Sequence, residues 1–487
     1  MKIIQYITLL FFFLLPFHAL AVTYINSLFF DFTSAVPFFI SGWKEIILAF
    51  FFVNSAIWLF HHFRETQKQF DYIDVFIILF SLVGLLIGIW KYDPTLGIMP
   101  TILGIKYDFF FIWLLFCFKH LPVFSHNNFL EKLRTTVLFS GIFIVTFAYL
   151  QYFSDANFLI QFGYFDAPSV DTIEKPASFC QLLENTNQCR IQSTFAGPIR
   201  FAGFLVLLTG LLASFVLQKK HVFHSKYKHY KTHPKTFTSI NFLLYILYTI
   251  IFSVIIFILY KTFSRGAWIA EIIVIFSSII IYFNIKLTKF FKIIFYTLLA
   301  IFTAIILFFS YKISQQYINS TYSFDETGSA KIIQITQQII KPINHQINSS
   351  EIYQKIENML IRKGSTGKHI EGITKSIEIV TLHPEGQGLG TAGAASTLQG
   401  VENQFLNENW YLQIFTELGI AGGIIFLLLT FTIIIHLRKE KSEYFPLIIA
   451  LFTMALFTHL WEEAALAYIV FALLGIELEK YKNILSK

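Results

Sequence analysis

The chain has 487 residues, of which 55% are hydrophobic and 14% are charged, and its mean hydropathy is +0.62. So apolar a composition excludes a soluble globular domain of this length and predicts a polytopic membrane protein. The net charge of +7 indicates membrane topology rather than nucleic-acid binding, because basic residues fall in short connections between apolar stretches.

These apolar stretches predict the fold class. A hydrocarbon core about 30 Å thick requires roughly 20 apolar residues per helical crossing. The chain is therefore predicted to be an all-α integral membrane protein with about twelve transmembrane helices. The stretches are 4–24, 45–60, 71–91, 105–118, 136–153, 198–217, 241–260, 267–285, 293–311, 412–436, 445–460 and 464–477. The first also resembles a cleavable signal peptide, but its removal would leave an odd number of spans.

Three regions follow along the chain. Residues 1–311 carry transmembrane helices 1 to 9, residues 312–411 form a large periplasmic or extracytoplasmic loop, and residues 412–487 carry helices 10 to 12 and a cytoplasmic tail. Short basic connections such as 219–235 are assigned to the inside by the positive-inside rule. The loops 154–197 and 312–411 then face outward, so we expect function on the outer face.

Both outer loops carry signs of order. Cys180 and Cys189 lie in the first loop, where they form either a disulfide in an oxidising compartment or two free thiols. In the second loop, apolar residues recur at helical spacing in 351–361 and 369–380. This pattern predicts two amphipathic helices, which either cover a site as a lid or rest on lipid headgroups.

Arginines at the outer ends of predicted spans are the first candidates for chemistry. Arg265 lies in KTFSRGAW, and Arg200 follows Pro198 at the start of the sixth span. An arginine is costly in the membrane unless it is paired or faces a polar cavity, and its planar fork suits bidentate phosphate binding. The alternatives are a salt bridge of Arg265 with Glu271, and interfacial snorkelling for Arg200 and for Arg190.

The polar segment 381–419 is the second candidate region. Its sequence HPEGQGLGTAG is too rich in glycine for a helix, and we expect its glycines to let the backbone turn tightly and approach a ligand closely. Glu408, Asn409 and Tyr411 then open the tenth span, where a carboxylate can act as a general base or can cap the helix. Glu462 and Glu463, at the outer end of the eleventh span, either bind sugar hydroxyls, counter the arginines, or are merely interfacial.

Several short motifs follow one another along the chain. They are WKE at 43–45, GIKYD at 104–108, STFAGPIRFAG at 193–203, SRGAW at 264–268, and GSTGKH, HPEGQGLGTAGAAS and ENWYLQIFTELGIAG in and after the large loop. Together with the size and position of that loop, they resemble the O-antigen ligase and polymerase superfamily of bacterial envelope proteins. The resemblance covers nearly the whole chain.

The resemblance implies a GT-C-type, metal-independent, inverting glycosyltransferase of the bacterial inner membrane, with no cofactor. The donor would be a glycan on a polyprenyl diphosphate, usually undecaprenyl diphosphate, and the acceptor another glycan, lipid A core or a protein hydroxyl. Arg200 and Arg265 would bind the diphosphate. The other substrate-binding candidates are Arg190, His383, Asn409 and Tyr411.

The sequence departs from the ligase pattern at one position. Ligases that resemble this chain commonly have a histidine directly before the asparagine that is Asn409 here. In this chain that residue is Glu408, which favours a polymerase-like or unassigned branch. Glu408 and Arg265 are the leading catalytic candidates, and His369 is a third. The alternatives are a protein O-oligosaccharyltransferase, a transporter or flippase of lipid-linked glycans, and a noncatalytic assembly subunit.

Overall fold

A computed structural model describes most of the chain. The described residues are 2–30, 36–67, 70–95, 97–124, 128–154, 157–165, 178–183, 188–227, 237–283, 363–398 and 408–485. Contacts divide the chain into one unit of residues 1–279 and 363–487 and a second of residues 280–362. The predicted ninth span, 293–311, and the predicted helix 351–361 lie outside the described residues.

Helices form almost all of the regular structure in the described residues. We number them α1 to α15, with bounds Lys2–Leu14, His18–Phe29, Phe38–Ser41, Trp43–Gln67, Tyr72–Trp90, Met99–His120, Phe129–Phe153, Pro198–Tyr227, Phe237–Lys261, Arg265–Tyr282, Lys363–Leu382, Gly393–Leu398, Trp410–Lys439, Phe445–Met454 and Ala464–Leu485. The all-α prediction is confirmed, with one short hairpin as the exception.

Eight of the described helical stretches are long and apolar enough to cross a membrane. Each coincides with a predicted span, and α1 and α2 together form the first, joined through a 3-10 turn that contains Pro16. Two shorter apolar helices, Tyr248–Lys261 and Phe445–Met454, match the seventh and eleventh. The helix α15 covers the twelfth. The protein is therefore a multi-pass membrane protein by helix length and hydropathy, and the count of twelve spans is not confirmed.

The first unit has an aromatic core in which α6 packs along α15 and α5 packs along α13. Phe111 of α6 meets Phe471 of α15 edge to face, with ring centroids 4.5 Å apart. A stacked pair, Phe118 with Phe124, lies 4.1 Å apart at the end of α6. Such pairs add to the dispersion contacts that must hold helices together where lipid removes the hydrophobic driving force.

Ion pairs fix the end of the bundle that the charge pattern assigns to the cytoplasm. Lys119 is 1% exposed, and its Nζ lies 2.7 Å from Asp71 Oδ2 and 2.8 Å from Asp74 Oδ2. His120 Nε2 lies 2.9 Å from Asp74 Oδ1. Asp71 also caps α5, since its side chain accepts from the backbone N–H of Ile73 and Asp74. The pairing therefore joins α5 to α6.

The loop 154–197, predicted to face outward, contains a small two-stranded hairpin. Its strands are Gln181–Leu182 and Cys189–Arg190, which pair antiparallel with Gln181 opposite Arg190. Cys180 and Cys189 are joined by a disulfide, so the disulfide expectation is confirmed over that of two free thiols.

The second predicted outer loop, 312–411, includes α11, which confirms a helix over the predicted range 369–380. Its apolar Ile370 and Ile373 are exposed. This exposure suits either a lid or a helix on lipid headgroups, so both alternatives remain.

Candidate functional site

A segment without α-helix, residues 455–463, lies between α14 and α15 and contains one 3-10 turn, Leu460–Glu462. With 10 residues, α14 is too short to cross a bilayer, since a crossing needs about 20 residues. The segment that follows is largely buried, with Leu460 4% and Trp461 2% exposed. Membrane proteins tolerate irregular backbone where protein buries it or where it lines a cavity, and this segment is both buried and part of a cleft wall.

The N-termini of α13 and α10 adjoin the segment 455–463. At α13, Trp410 N donates to Ala455 O at 3.0 Å and Asn409 Nδ2 donates to Leu456 O at 2.9 Å. At α10, Gly266 is packed so closely that an added Cβ would lie 3.2 Å from Phe457 Cβ. Arg265, the first residue of α10, therefore begins its helix beside this segment.

The N-terminus of α8 completes the surroundings of the segment and forms a cleft with it. The cleft is small and is lined by Gly197, Ile199, Arg200, Thr458, His459, Leu460 and Glu463. Arg200 Nε lies 3.6 Å from Glu463 Oε2, and the Arg200 side chain remains 36% exposed. On the other wall, His459 Nε2 lies 4.0 Å from Glu462 Oε2.

The geometry brings together some of the sequence candidates. Arg200 lines the cleft, and Arg265 borders the same segment. Helix N-termini carry a partial positive charge and bind anions through their unpaired backbone N–H groups. The N–H groups of Trp410 and Leu412 at the start of α13 already have partners. The N-termini of α8 and α10 and two arginines therefore place positive charge at this end of the bundle, and Glu462 and Glu463 place negative charge beside it.

A second pair of sequence candidates meets at the start of α13. His369 Nδ1 on α11 lies 2.6 Å from Glu408 Oε2, and both side chains are partly exposed. Asn409 caps α13, with its Oδ1 accepting from Leu412 N at 3.0 Å. Tyr411 is 9% exposed and donates its hydroxyl to Phe452 O at 3.0 Å. In the contacts described, Asn409 and Tyr411 dock α13 onto α14 and the segment after it.

Two other candidates lie in different surroundings. The buried Arg190 guanidinium donates from Nε to Thr262 O at 2.8 Å and from Nη1 to Gln181 Oε1 at 3.3 Å. His383 is exposed, and its Nδ1 lies 3.8 Å from Glu385 Oε1. Lys91 Nζ donates to the same oxygen at 2.7 Å, which lowers the pKa of Glu385. The proposed substrate roles of Arg190 and His383 stay predictions.

The glycine-rich segment is held inside the bundle by buried carboxylates. Glu417 is 1% exposed, and its side chain accepts from Gly390 N at 2.9 Å and from Ala392 N at 3.0 Å. Glu462 Oε1 accepts from Ala394 N at 2.9 Å and from Gln413 Nε2 at 3.1 Å. The expectation of tight turns is confirmed, and the backbone approached is that of the protein's own helices.

Gly390 shows why this approach requires glycine. Its φ is +76°, in the left-handed region that residues with a Cβ rarely adopt. An added Cβ would also collide with the Pro100 carbonyl. Residue 390 therefore sits directly against α6.

A break in α13 accompanies this approach. Gly419 has φ +66° and ψ −170°, which interrupts the helix. The carbonyls of Thr416 and Glu417 accept instead from Gln387 N at 2.9 Å and Gly388 N at 3.0 Å. The glycine-rich segment therefore supplies donors that the broken helix lacks.

Sequence reasoning missed His459 and a polar cluster beside the cleft. Lys106 Nζ lies 2.8 Å from Glu45 Oε1, and Lys44 Nζ lies 2.6 Å from His18 Nε2. Two motifs, WKE and GIKYD, held three of these residues, but their spacing gave no sign of the contact between α4 and α6. His459 had only its position three residues before Glu462 as a signal.

Comparison with known proteins gives one local similarity. No protein-family profile matches the chain. A stretch of 63 residues is 36% identical to an O-antigen polymerase of Salmonella muenchen. That stretch covers 13% of this chain and 16% of the polymerase. The similarity is weak and partial, and it suggests a polymerase-like membrane protein.

Proposed function

We propose that the protein transfers a glycan from a polyprenyl diphosphate to an acceptor hydroxyl, on the outer face of the bacterial inner membrane. The observation that carries the proposal is the cleft at segment 455–463, where Arg200 lies among the N-termini of α8, α10 and α13. The similarity to an O-antigen polymerase supports the same class of reaction.

The cleft suits a diphosphate for electrostatic reasons. A diphosphate carries its charge on several oxygens, which match the planar donor forks of Arg200 and Arg265 and the N–H groups of helix starts. Glu463 holds the Arg200 side chain at 3.6 Å and leaves it 36% exposed. In this proposal the two arginines stabilise the charge that develops on the leaving polyprenyl diphosphate.

The pair His369 and Glu408 supplies the proton acceptor. The acceptor hydroxyl attacks the anomeric carbon, the bond from that carbon to the phosphate oxygen breaks, and the diphosphate leaves with the electron pair. Because Glu408 Oε2 lies 2.6 Å from His369 Nδ1, Nδ1–H donates to Glu408 and Nε2 takes the hydroxyl proton. Attack from the face opposite the leaving group inverts the anomeric configuration.

The acceptor is proposed to be a second glycan. The polymerase similarity favours this over lipid A core or a protein hydroxyl. Glu408, in place of the ligase histidine, favours it also. A protein O-oligosaccharyltransferase would use the same donor and differ only in the acceptor.

The test is glycan transfer by the purified protein in nanodiscs, with an undecaprenyl-diphosphate oligosaccharide and each acceptor in turn. Arg265→Ala and Arg200→Ala are expected to lower kcat/KM by about 10²–10³. The matched control is Arg438→Ala, which removes an exposed arginine from the far end of α13. Absence of transfer to every acceptor, with surface polysaccharide unchanged in cells carrying Arg265→Ala, would refute the proposal.

A transporter or flippase of lipid-linked glycans is the second candidate, because α13 is broken at Gly419. Discontinuous helices are common at transporter binding sites. Here the backbone groups at the break bond to residues 384, 387 and 388 of the same chain, which favours a structural role for the break. Movement of the lipid-linked glycan across proteoliposomes without an acceptor would support the transporter instead.

A further inference from the structure

A disulfide-closed hairpin lies directly against the turn that precedes Arg265. We define the disulfide hairpin as residues 178–183 and 188–193, with Cys180 and Cys189 joined. Its strands pair with Gln181 opposite Arg190. The covalent link and the pairing give this piece of loop a fixed shape of its own.

The second strand of the hairpin is hydrogen-bonded to the turn at residues 261–264. The Arg190 side chain is 7% exposed, and its Nε donates to Thr262 O at 2.8 Å. The next backbone group, Ile191 N, donates to Lys261 O at 3.3 Å. A second donor of the guanidinium, Nη1, reaches Gln181 Oε1 at 3.3 Å. Arg190 therefore ties the turn to both strands of the hairpin.

The turn 261–264 has an uncommon backbone conformation at Phe263. Phe263 has φ +52° although it is not glycine, and such a strained conformation persists only where the surrounding structure imposes it. Ser264 N donates to Thr262 Oγ1 at 3.3 Å within the same turn. Because α10 begins at Arg265, the conformation of this turn determines the position of the Arg265 backbone.

We propose that the disulfide hairpin positions Arg265 and that Arg190 acts through the Thr262 carbonyl. Arg190 is then a positioning residue rather than a ligand of the substrate diphosphate. The inference rests on the proposed function in one respect, namely that Arg265 binds the donor diphosphate. Breaking the contact would let the turn relax toward ordinary backbone angles and would move Arg265 away from segment 455–463.

A double-mutant cycle tests this with the intact protein in nanodiscs and undecaprenyl diphosphate as the probe. Arg190→Ala is expected to raise the dissociation constant about tenfold, the size of one charged hydrogen bond from the displaced Arg265 to the diphosphate. In an Arg265→Ala background the same change is expected to have almost no further effect, whereas in an Arg200→Ala background the tenfold effect persists. Lys261→Gln is the matched control, because it removes a cation of the same turn without touching the Arg190 contact.

An equal effect of Arg190→Ala in all three backgrounds would overturn the inference, since Arg190 would then act independently of Arg265. So would an unchanged dissociation constant in the wild-type background. Arg190→Lys, which keeps one donor for Thr262 O, is expected to restore part of the affinity.

A second measurement does not depend on the diphosphate. With Cys117→Ser, an Arg265→Cys variant carries one thiol outside the disulfide, and its reaction with a membrane-impermeant maleimide, located by peptide mapping, reports the position of residue 265. Adding Arg190→Ala is expected to change that rate at least about threefold if the turn moves. An unchanged rate overturns the positioning role. If Arg265→Ala leaves diphosphate binding unchanged, the proposed function fails, and the labelling rate alone decides the positioning.

Discussion

Glu417 offers a direct test of how the glycine-rich segment is held. Its carboxylate accepts from Gly390 N at 2.9 Å and from Ala392 N at 3.0 Å, and it is 1% exposed. A hydrogen bond to a charged group contributes about 1.5–3 kcal/mol. Glu417→Ala removes both acceptors and leaves two buried amides unsatisfied, so we expect the free energy of unfolding to fall by about 3–5 kcal/mol.

Glu417→Gln should cost less than the alanine variant. The Gln oxygen accepts from one amide, and its NH2 group can donate to Asp108, which lies beside Glu417. We expect a loss of about 1.5–3 kcal/mol. The matched control is Glu378→Ala on the exposed face of α11, where a substitution changes stability by about 0.5 kcal/mol or less.

The assay is SDS-induced unfolding followed by tryptophan fluorescence, with limited proteolysis of the segment 384–398 as a local readout. The expected order of stability is wild type and the Glu378→Ala control first, then Glu417→Gln, then Glu417→Ala. If Glu417→Ala unfolded within 0.5 kcal/mol of wild type, a threshold set by ordinary surface substitutions, and left residues 384–398 as resistant to protease, the reasoning would be refuted.

Three further predictions concern the site and its surroundings. His369→Ala is expected to lower kcat about 10²–10⁴-fold, the usual contribution of a general base, and Glu408→Gln is expected to lower it somewhat less. The KM for the donor should stay nearly unchanged in both variants. A rise in KM as large as the fall in kcat would instead indicate a binding role. Gly390→Ala is expected to destabilise the protein by more than Gly97→Ala. Both glycines have positive φ, but of the two only an added Cβ at residue 390 meets a neighbouring backbone within 4 Å. Equal melting temperatures of the two variants would contradict this. Lys91 depresses the pKa of Glu385 below its ordinary 4.5, so the stability that this pair adds is present above pH 4.5 and is lost as the pH falls through the depressed value. The melting temperatures of Glu385→Gln and wild type should therefore converge on acidification. A constant difference between them would count against the pairing.

The disulfide hairpin shows where local sequence information stopped. The cysteine spacing in an outward loop was enough to suggest a disulfide, which the structure has. The position of Arg190, by contrast, looked from the sequence like that of a third phosphate-binding arginine. Its partner Thr262 is 72 positions away, and no periodicity within one helix or loop reports a contact over that distance.

The cleft shows the same division between local and long-range information. Sequence placed Arg200 and Arg265 at the outer ends of their helices, because an arginine within an apolar stretch is tolerated only near a polar environment. It did not single out His459, since a histidine in FTHLWEE has no local pattern that separates a cleft wall from a buried core. Only packing of the helices around segment 455–463 brings Arg200 and His459 into one cleft and starts α10, at Arg265, beside the same segment.

The sequence by itself determined that this is an all-α, multi-pass membrane protein, because lipid forces each crossing to satisfy its own backbone hydrogen bonds and to be apolar over about 20 residues. It also indicated that the segment 381–419 differs from the membrane-spanning stretches, since glycine and polar residues interrupt the apolar pattern there. The tertiary structure alone decided what the segment does. Its amides are held by Glu417 and Glu462, and its backbone bonds to the break at Gly419. Those partners are set by helix packing across the whole chain, which local periodicity does not encode.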